Sequence, residues 1–176
     1  ANTGKLLGTV DMRDSGATLL LANVVNNTGA VAEIGKSAAT GSVVVLGGAH
    51  MDVVTNSGTI WGAIDLGAGA NTVTNTGSVG ASSSGLSFYG GVDADIVTNS
   101  AGHSLAGAVV MGNGANSLNN SGTVGATTTL AVASYEGGDG VDIVTNTATG
   151  NLQGAVQLGD GLTNSVTNAG HIEYGV

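Results

Sequence analysis

The sequence predicts an all-β fold, a right-handed parallel β-helix of about seven coils. Three observations predict it. A pentapeptide, [Asp/Asn]-x-[Val/Leu]-[Thr/Asn]-Asn, recurs along the whole chain. Around each copy, apolar and polar residues alternate with the strand period of two rather than the helical 3.6. Glycine is abundant, at 32 of 176 residues, and proline is absent. That suits many tight corners and no sustained helix.

The pentapeptide begins at Asn23, Asp52, Asn71, Asp95, Asn116, Asp142 and Asn164. It ends on Asn27, Asn56, Asn75, Asn99, Asn120, Asn146 and Asn168, and Asn2 reads as the end of an earlier copy. Repeats of about 20 to 30 residues indicate a solenoid in which each unit buries its apolar face on the next. With the central Val or Leu facing inward, the Thr faces outward and the last Asn faces the interior or the turn. After each copy come a small or polar residue or two, a glycine, an outward residue and an apolar one, with a one-residue insertion at Ala101 or a neighbour before Leu105. The apolar column so read is Leu6, Val31, Ile60, Val79, Leu105, Val124, Leu152 and Ile172.

Two kinds of coil alternate. One continues as Gly-Ala-[Ile/Val]-x-[Leu/Met]-Gly, at Gly62–Gly67, Gly107–Gly112 and Gly154–Gly159, with a looser copy from Gly8 to Met12. The other makes a longer excursion, rich in Ser, Thr and Ala, and closes on Gly47-Gly48, Gly90-Gly91 or Gly137-Gly138. The first pentapeptide position alternates Asn and Asp in the same rhythm. Stacked strands lie about 4.8 Å apart, so alternation separates like carboxylates to about 10 Å. About seven coils make a rod roughly 35 Å long. Residues 1–176 form one solenoid segment, with partial repeats at both ends. The segment is expected either to continue into neighbouring repeats or to stack end to end on copies of itself.

Composition excludes several functions. The chain carries 3 Lys and Arg against 12 Asp and Glu, a net charge of −9. After Lys36 there is no fixed positive charge, so nucleic-acid binding through phosphates is not expected. Cysteine is absent, which removes disulfides, thiolate metal sites and a Cys nucleophile. No apolar run reaches the length of a membrane helix, and no membrane insertion of this segment is expected. No signal-peptide pattern opens the chain, which reads as a mature or excised segment.

The run from Val54 to Val73, Val-Thr-Asn-Ser-Gly-Thr-Ile-x-Gly-x-Ile-x-Leu-Gly-x-Gly-x-Asn-x-Val, resembles passenger regions of bacterial autotransporters. It is equally similar to other giant β-helical surface proteins of Gram-negative bacteria. The resemblance covers nearly the whole chain. It implies export to the cell surface and a role in adhesion, aggregation, biofilm formation or display. The translocator barrel expected of an autotransporter is not in this sequence.

Candidate sites follow from the columns. The terminal asparagines read as a ladder whose side-chain amides hydrogen-bond along the axis. The run Gly137-Gly-Asp-Gly-Val-Asp142-Ile-Val144 matches the calcium nonapeptide of repeat-in-toxin proteins, and Gly90–Val97 and Gly47–Val54 are variants of it. Calcium at Asp93, Asp95, Asp139 and Asp142 is therefore one reading, in a calcium-dependent β-roll module. Glycine corners that close a coil account for the same residues. No other cofactor is expected. Asp11 and Asp65 share an outward column, which gives a further reading as a carboxylate pair of a polysaccharide-active β-helix enzyme. His50, His103 and His171 sit in different contexts and read as solvated. The outward threonines are interrupted by Asn26 and Asn119, so they do not form the regular array of an ice-binding face.

Val53, Ile96 and Ile143 point outward in alternate coils. Val45, Phe88 and Tyr135 each stand two residues before a Gly-Gly pair. Together they form either an apolar contact stripe or residues that the longer excursion buries. The leading expectation is a non-catalytic, adhesive or structural solenoid. Its partners would be itself, neighbouring repeats, or a ligand on a host or bacterial surface.

Overall fold

The computed structural model describes residues 1–13, 22–29, 31–36, 41–80, 85–125 and 133–175. Every described regular element is a strand. The strands form three all-parallel sheets of seven, eight and seven strands, which wind as a right-handed parallel β-helix. Each coil contributes one strand to each sheet in turn.

The pentapeptides form the first sheet, here the ladder sheet: Asn23–Asn27, Asp52–Asn56, Thr72–Asn75, Ile96–Asn99, Ser117–Asn120, Ile143–Asn146 and Ser165–Asn168. Its register has no slip. Val24, Val53, Thr72, Ile96, Ser117, Ile143 and Ser165 are consecutive cross-strand partners. The second sheet consists of two-residue strands such as Thr59–Ile60 and Ser78–Val79. The third carries the Gly-Ala-[Ile/Val] and Gly-Gly segments, from Val10–Asp11 to Val156–Gln157.

One reading of the second sheet is corrected. Val31 does not lie in its apolar column; Glu33–Ile34 is the strand there, paired with Lys5–Leu6 and Thr59–Ile60. Ile34 is buried and Val31 is exposed. The chain between Asn27 and this strand is longer than in other coils, so counting forward from the anchor stops three residues early.

The core is narrow and built in layers. Val54, Val73, Val97, Leu118 and Val144 meet Ile60, Val79, Leu105, Val124 and Leu152 from the second sheet. Ile64, Phe88, Val109 and Tyr135 close it from the third. Val45, Phe88 and Tyr135 are cross-strand partners of Val10, Ile64, Val109 or Val156, so they share an inward column. Phe88 and Tyr135 are 1% and 0% exposed, so they belong to the core and not to an outer stripe. The residue that follows each of them points outward, as Tyr89 does.

The longer coils fit an additional residue into this sheet. Register shifts fall between Val43 and Val45 and between Leu86 and Phe88, and a third, in a shorter coil, between Val110 and Gly112. The intervening Val44 and Ser87 are buried, as is Ser134 at the corresponding place in the next long coil. A β-bulge accommodates one residue in excess without disturbing the strands above and below. The excursions at 81–84 and 126–132, taken from the sequence as Ser-, Thr- and Ala-rich, lie outside the described residues.

Inside the turn after the ladder sheet runs a continuous asparagine ladder. Each Nδ2 donates to the Oδ1 of the asparagine one coil further on, from Asn2 through Asn27, Asn56, Asn75, Asn99, Asn120 and Asn146 to Asn168, at 2.8 or 2.9 Å throughout. The same nitrogens also donate to backbone carbonyls of the next coil, as Asn75 does to Ser104 and Asn99 to Thr123. Successive ladder residues are separated by as few as 19 and as many as 29 positions. The ladder therefore holds coil height constant while the excursions absorb differences in length.

Replacing Asn99 by Ala removes its donation to Asn120 and takes from the Asn75 amide the shortest of its three acceptors, leaving the carbonyls of Gly77 and Ser104, and so breaks two consecutive rungs in a buried turn. The expected loss is about 2–3 kcal/mol. Asn168→Ala, at the exposed last rung, costs less than about 1 kcal/mol. Denaturant titration of the two variants checks the order; equal losses contradict it.

Candidate functional site

Two features of the ladder sheet stand out, one on its inner side and one on its outer side. The inner feature is a second polar column at the first pentapeptide position. Asp52, Asn71, Asp95, Asn116 and Asp142 are all buried, and Asn23 and Asn164 at the ends are half-buried. Side-chain oxygens on this column accept backbone N–H groups from the neighbouring coil. Asp52 donates to Asn71 Oδ1 at 2.9 Å, Asn71 to Asp95 Oδ1 at 2.9 Å, Asp95 to Asn116 Oδ1 at 3.0 Å, and Asp142 to Asn164 Oδ1 at 2.8 Å.

The remaining oxygen of each aspartate explains the Gly-Gly pairs. A Cβ on Gly47, Gly90 or Gly137 would lie 2.1, 2.2 or 2.0 Å from the Oδ2 of Asp52, Asp95 or Asp142. The first glycine of each pair is thus the space that the carboxylate occupies. In the intervening coils the column residue is Asn, and Leu66, Met111 and the partly buried Leu158 pack into the core instead. There the following Gly67, Gly112 and Gly159 turn the corner at φ near +70°, a region that favours glycine.

Burial pushes the Asp95 carboxyl up to about 6, although the Asn71 backbone N–H and side chain pull the other way; Asp93 adds to the rise. Among the described residues no donor reaches Asp95 Oδ2. This atom and the carbonyl oxygen of Met111 crowd the same point beside Gly90. A proton on Oδ2 makes Asp95 an asparagine-like group, accepting at Oδ1 and donating at Oδ2. Burial raises Asp142 as well, opposed by the Tyr135 hydroxyl, which donates to Asp142 Oδ1 at 3.0 Å, and by Asn116. Burial and the neighbouring Asp142 carboxylate keep Tyr135 protonated. Phe88 occupies the Tyr135 position two coils earlier, so Asp95 lacks that donor.

This geometry divides the residues of the calcium reading. Asp93 and Asp139 are exposed at the corner, whereas Asp95 and Asp142 are buried with their oxygens committed to the interior. Asp93 Oδ2 accepts the Gly69 N–H at 2.8 Å, and Asp139 N–H donates to Asn113. Among the described residues no group of three or more His, Cys, Asp or Glu side chains is placed to hold a metal ion.

Asp11 and Asp65 lie in one outward column with Leu46 between them. Arg13 donates to Asp11 through Nε at 2.9 Å and holds its carboxyl down at about 2. A carboxylic acid that must donate a proton needs the opposite shift. His50, His103 and His171 are in separate coils.

The outer feature is the exposed side of the ladder sheet. Val24 and Val53 stand side by side there, Ile96 and Ile143 then alternate with Thr72, Ser117 and Ser165, and Asn26, Thr55, Thr74, Thr98, Asn119, Thr145 and Thr167 form the next rank. Ile96 and Ile143 are 47% and 44% exposed. On one flank stand Met51, Ala70, Ala94, Ala115 and Val141. On the other, the residue after each ladder asparagine is Ser or Thr at every rung from Asn2 to Asn146. These four outward ranks contain no Asp, Glu, Lys or Arg. Apart from the buried Asp52, Asp95 and Asp142 on its inner side, the described acids lie elsewhere, on the third sheet (Asp11, Asp65, Glu136), at the second sheet (Glu33, Glu173) and at the corners (Asp93, Asp139, Asp160). The pentapeptide shows the two inner ranks of this face. Its flanks are visible only once the register aligns residues outside the motif.

These features define a β-solenoid with buried polar columns and an uncharged outer face on the ladder sheet. No protein-family model, curated protein or solved structure matches the chain.

The Asp95 geometry sets a pH dependence. The folded-state value of about 6 lies above the value of about 3.9 for an unfolded Asp. The folded state therefore binds the proton more tightly, and this contribution is fully present below about pH 4 and lost as pH rises through 6. Asp95→Asn is expected to raise stability at pH 8 by about 1–3 kcal/mol, with little change at pH 4. Urea denaturation at the two values checks it; a variant less stable than the parent at pH 8 contradicts the assignment.

Proposed function

We propose that this chain is a non-catalytic, structural and adhesive solenoid segment displayed outside a bacterium. The observation that carries the reading is the uncharged, regular outer face of the ladder sheet, on a chain whose net charge is −9. A rigid core holds that face in strict register, and short side chains cover it. Such a surface suits broad, shallow contacts with another surface rather than enclosure of a small molecule. The similarity of the Val54–Val73 run to autotransporter passengers supports export and display. The partners in this reading are copies of the same solenoid, neighbouring repeats, or a ligand on a facing cell.

Display of the 176-residue chain on a non-aggregating bacterial strain tests the role. Cells carrying it are expected to settle or adhere several-fold faster than cells carrying an unrelated solenoid of similar charge. Dispersed, non-adherent cells contradict a contact function, and release of sugar or peptide fragments from the cell surface contradicts a non-catalytic one.

A further inference from the structure

We infer that the outer face of the ladder sheet pairs with the same face of a second copy of this chain, with the two solenoid axes antiparallel. This deepens the contact role proposed above and rests on it.

Charge selects the partner and the face. Two chains of net charge −9 repel, and the third sheet and the corners would bring carboxylates together. The ladder sheet's outer face lets two copies meet along its whole length without juxtaposing like charges, which cost several kcal/mol across an interface when forced together. The face carries no aromatic residue and no cation. It therefore lacks a stacking platform for sugars and a counter-charge for phosphates or acidic peptides.

Area and stiffness favour the pairing. Four ranks two residues apart, over seven strands, cover about 20 by 29 Å, or about 600 Å2 per copy. Two such faces bury about 1,200 Å2, the lower end of specific interfaces. Val, Ile and Thr are stiff at χ1, and Ala and Ser have little to order, so docking costs little side-chain entropy.

The sequence alternation sets the orientation. Val53, Ile96 and Ile143 occupy the second, fourth and sixth strands of a seven-stranded sheet. A two-fold axis along the fourth strand, midway between the faces, reverses the solenoid axis and keeps each rank opposite itself. Ile96 then meets Ile96, Val53 meets Ile143, Thr72 meets Ser117 and Thr98 meets Thr98. The alternative two-fold, along the solenoid axis, reverses the order of the ranks and sets the aliphatic rank against threonines. Closed two-fold pairing yields a dimer and stops there.

Sedimentation equilibrium of the whole chain, from low micromolar to several hundred micromolar, reads the pairing. The expected result is a monomer–dimer equilibrium that saturates at twice 16.8 kDa. Ile96→Lys places like charges together at the two-fold axis and is expected to weaken association by roughly a hundredfold or more. Tyr89→Lys, on the third sheet, leaves association unchanged. Far-UV circular dichroism confirms that both variants fold, and Ile143→Lys repeats the test at a second point.

The absence of native cysteine allows a check on orientation. Facing sheets stand about 10 Å apart, beyond the reach of a disulfide, so a short bis-maleimide is the probe. It is expected to join two Ile96→Cys chains, and to join Thr55→Cys to Thr145→Cys, while leaving Tyr89→Cys chains single. A monomer at every concentration overturns the pairing. So does a mass that grows without limit and is insensitive to Ile96→Lys, because that is stacking through the ends. The cell assay reads the role separately. Dispersed cells with a dimeric chain remove the role and keep the pairing; clumping cells with a monomeric chain do the reverse.

Discussion

The hydrogen bond from one asparagine amide to the next, repeated along the solenoid, is the constraint on which the structure depends. An asparagine side chain offers both a donor and an acceptor, so identical side chains in identical orientation satisfy one another without end. At 2.8–2.9 Å, the bond is made only if consecutive coils keep the same height and phase. A buried amide left without its partner costs more than the bond contributes, so the ladder penalises slippage strongly. The pleat then carries that register to the outside. Fixing Asn56 over Asn27 also fixes Thr55 over Asn26 and Val53 over Val24. The uncharged outer face is in this sense a projection of the inner ladder.

The second polar column shows why coils come in two kinds. A carboxylate at the first pentapeptide position needs room, and a glycine in the third sheet provides it at Gly47, Gly90 and Gly137. Coils with asparagine at that position put Leu or Met into the core of the third sheet. Two successive Asp coils would stack ionisable groups about 4.8 Å apart within the interior, where their repulsion is strong. Intervening asparagines keep them apart and accept the backbone N–H groups of Asp52, Asp95 and Asp142. The pair of coils is thus the unit that leaves each buried polar group a neutral neighbour.

Much of this was legible in the sequence because stacking repeats one local choice many times. The asparagine ladder, the inward Val and Leu, the two coil types and the outward Val53, Ile96 and Ile143 each recur at fixed places in the motif. The failures are local departures from the motif. Ile34 was missed because the chain after Asn27 is longer before its strand begins. Phe88 and Tyr135 look like candidates for an outer stripe in the sequence because the residues before them, Ser87 and Ser134, are buried too, which disturbs the alternation. Asp93 and Asp95 stand two residues apart in the sequence, and their difference in burial, one exposed and one in the core, is visible only in the structure. The outer face was legible in part, since Met51, Val141 and the hydroxyls after each ladder asparagine join it only through strand register.

Side-chain amide hydrogen exchange, followed by nuclear magnetic resonance with asparagine-selective nitrogen-15 labelling, tests the central claim most directly. The Nδ2 protons of Asn56, Asn75, Asn99 and Asn120 are expected to exchange as slowly as the backbone amides of their own strands, and those of Asn168 to exchange rapidly. Central asparagine amides that exchange like free side chains, beside protected backbone amides, would contradict the account. The strands would then stack without the ladder, and coil register would have to come from the apolar core alone.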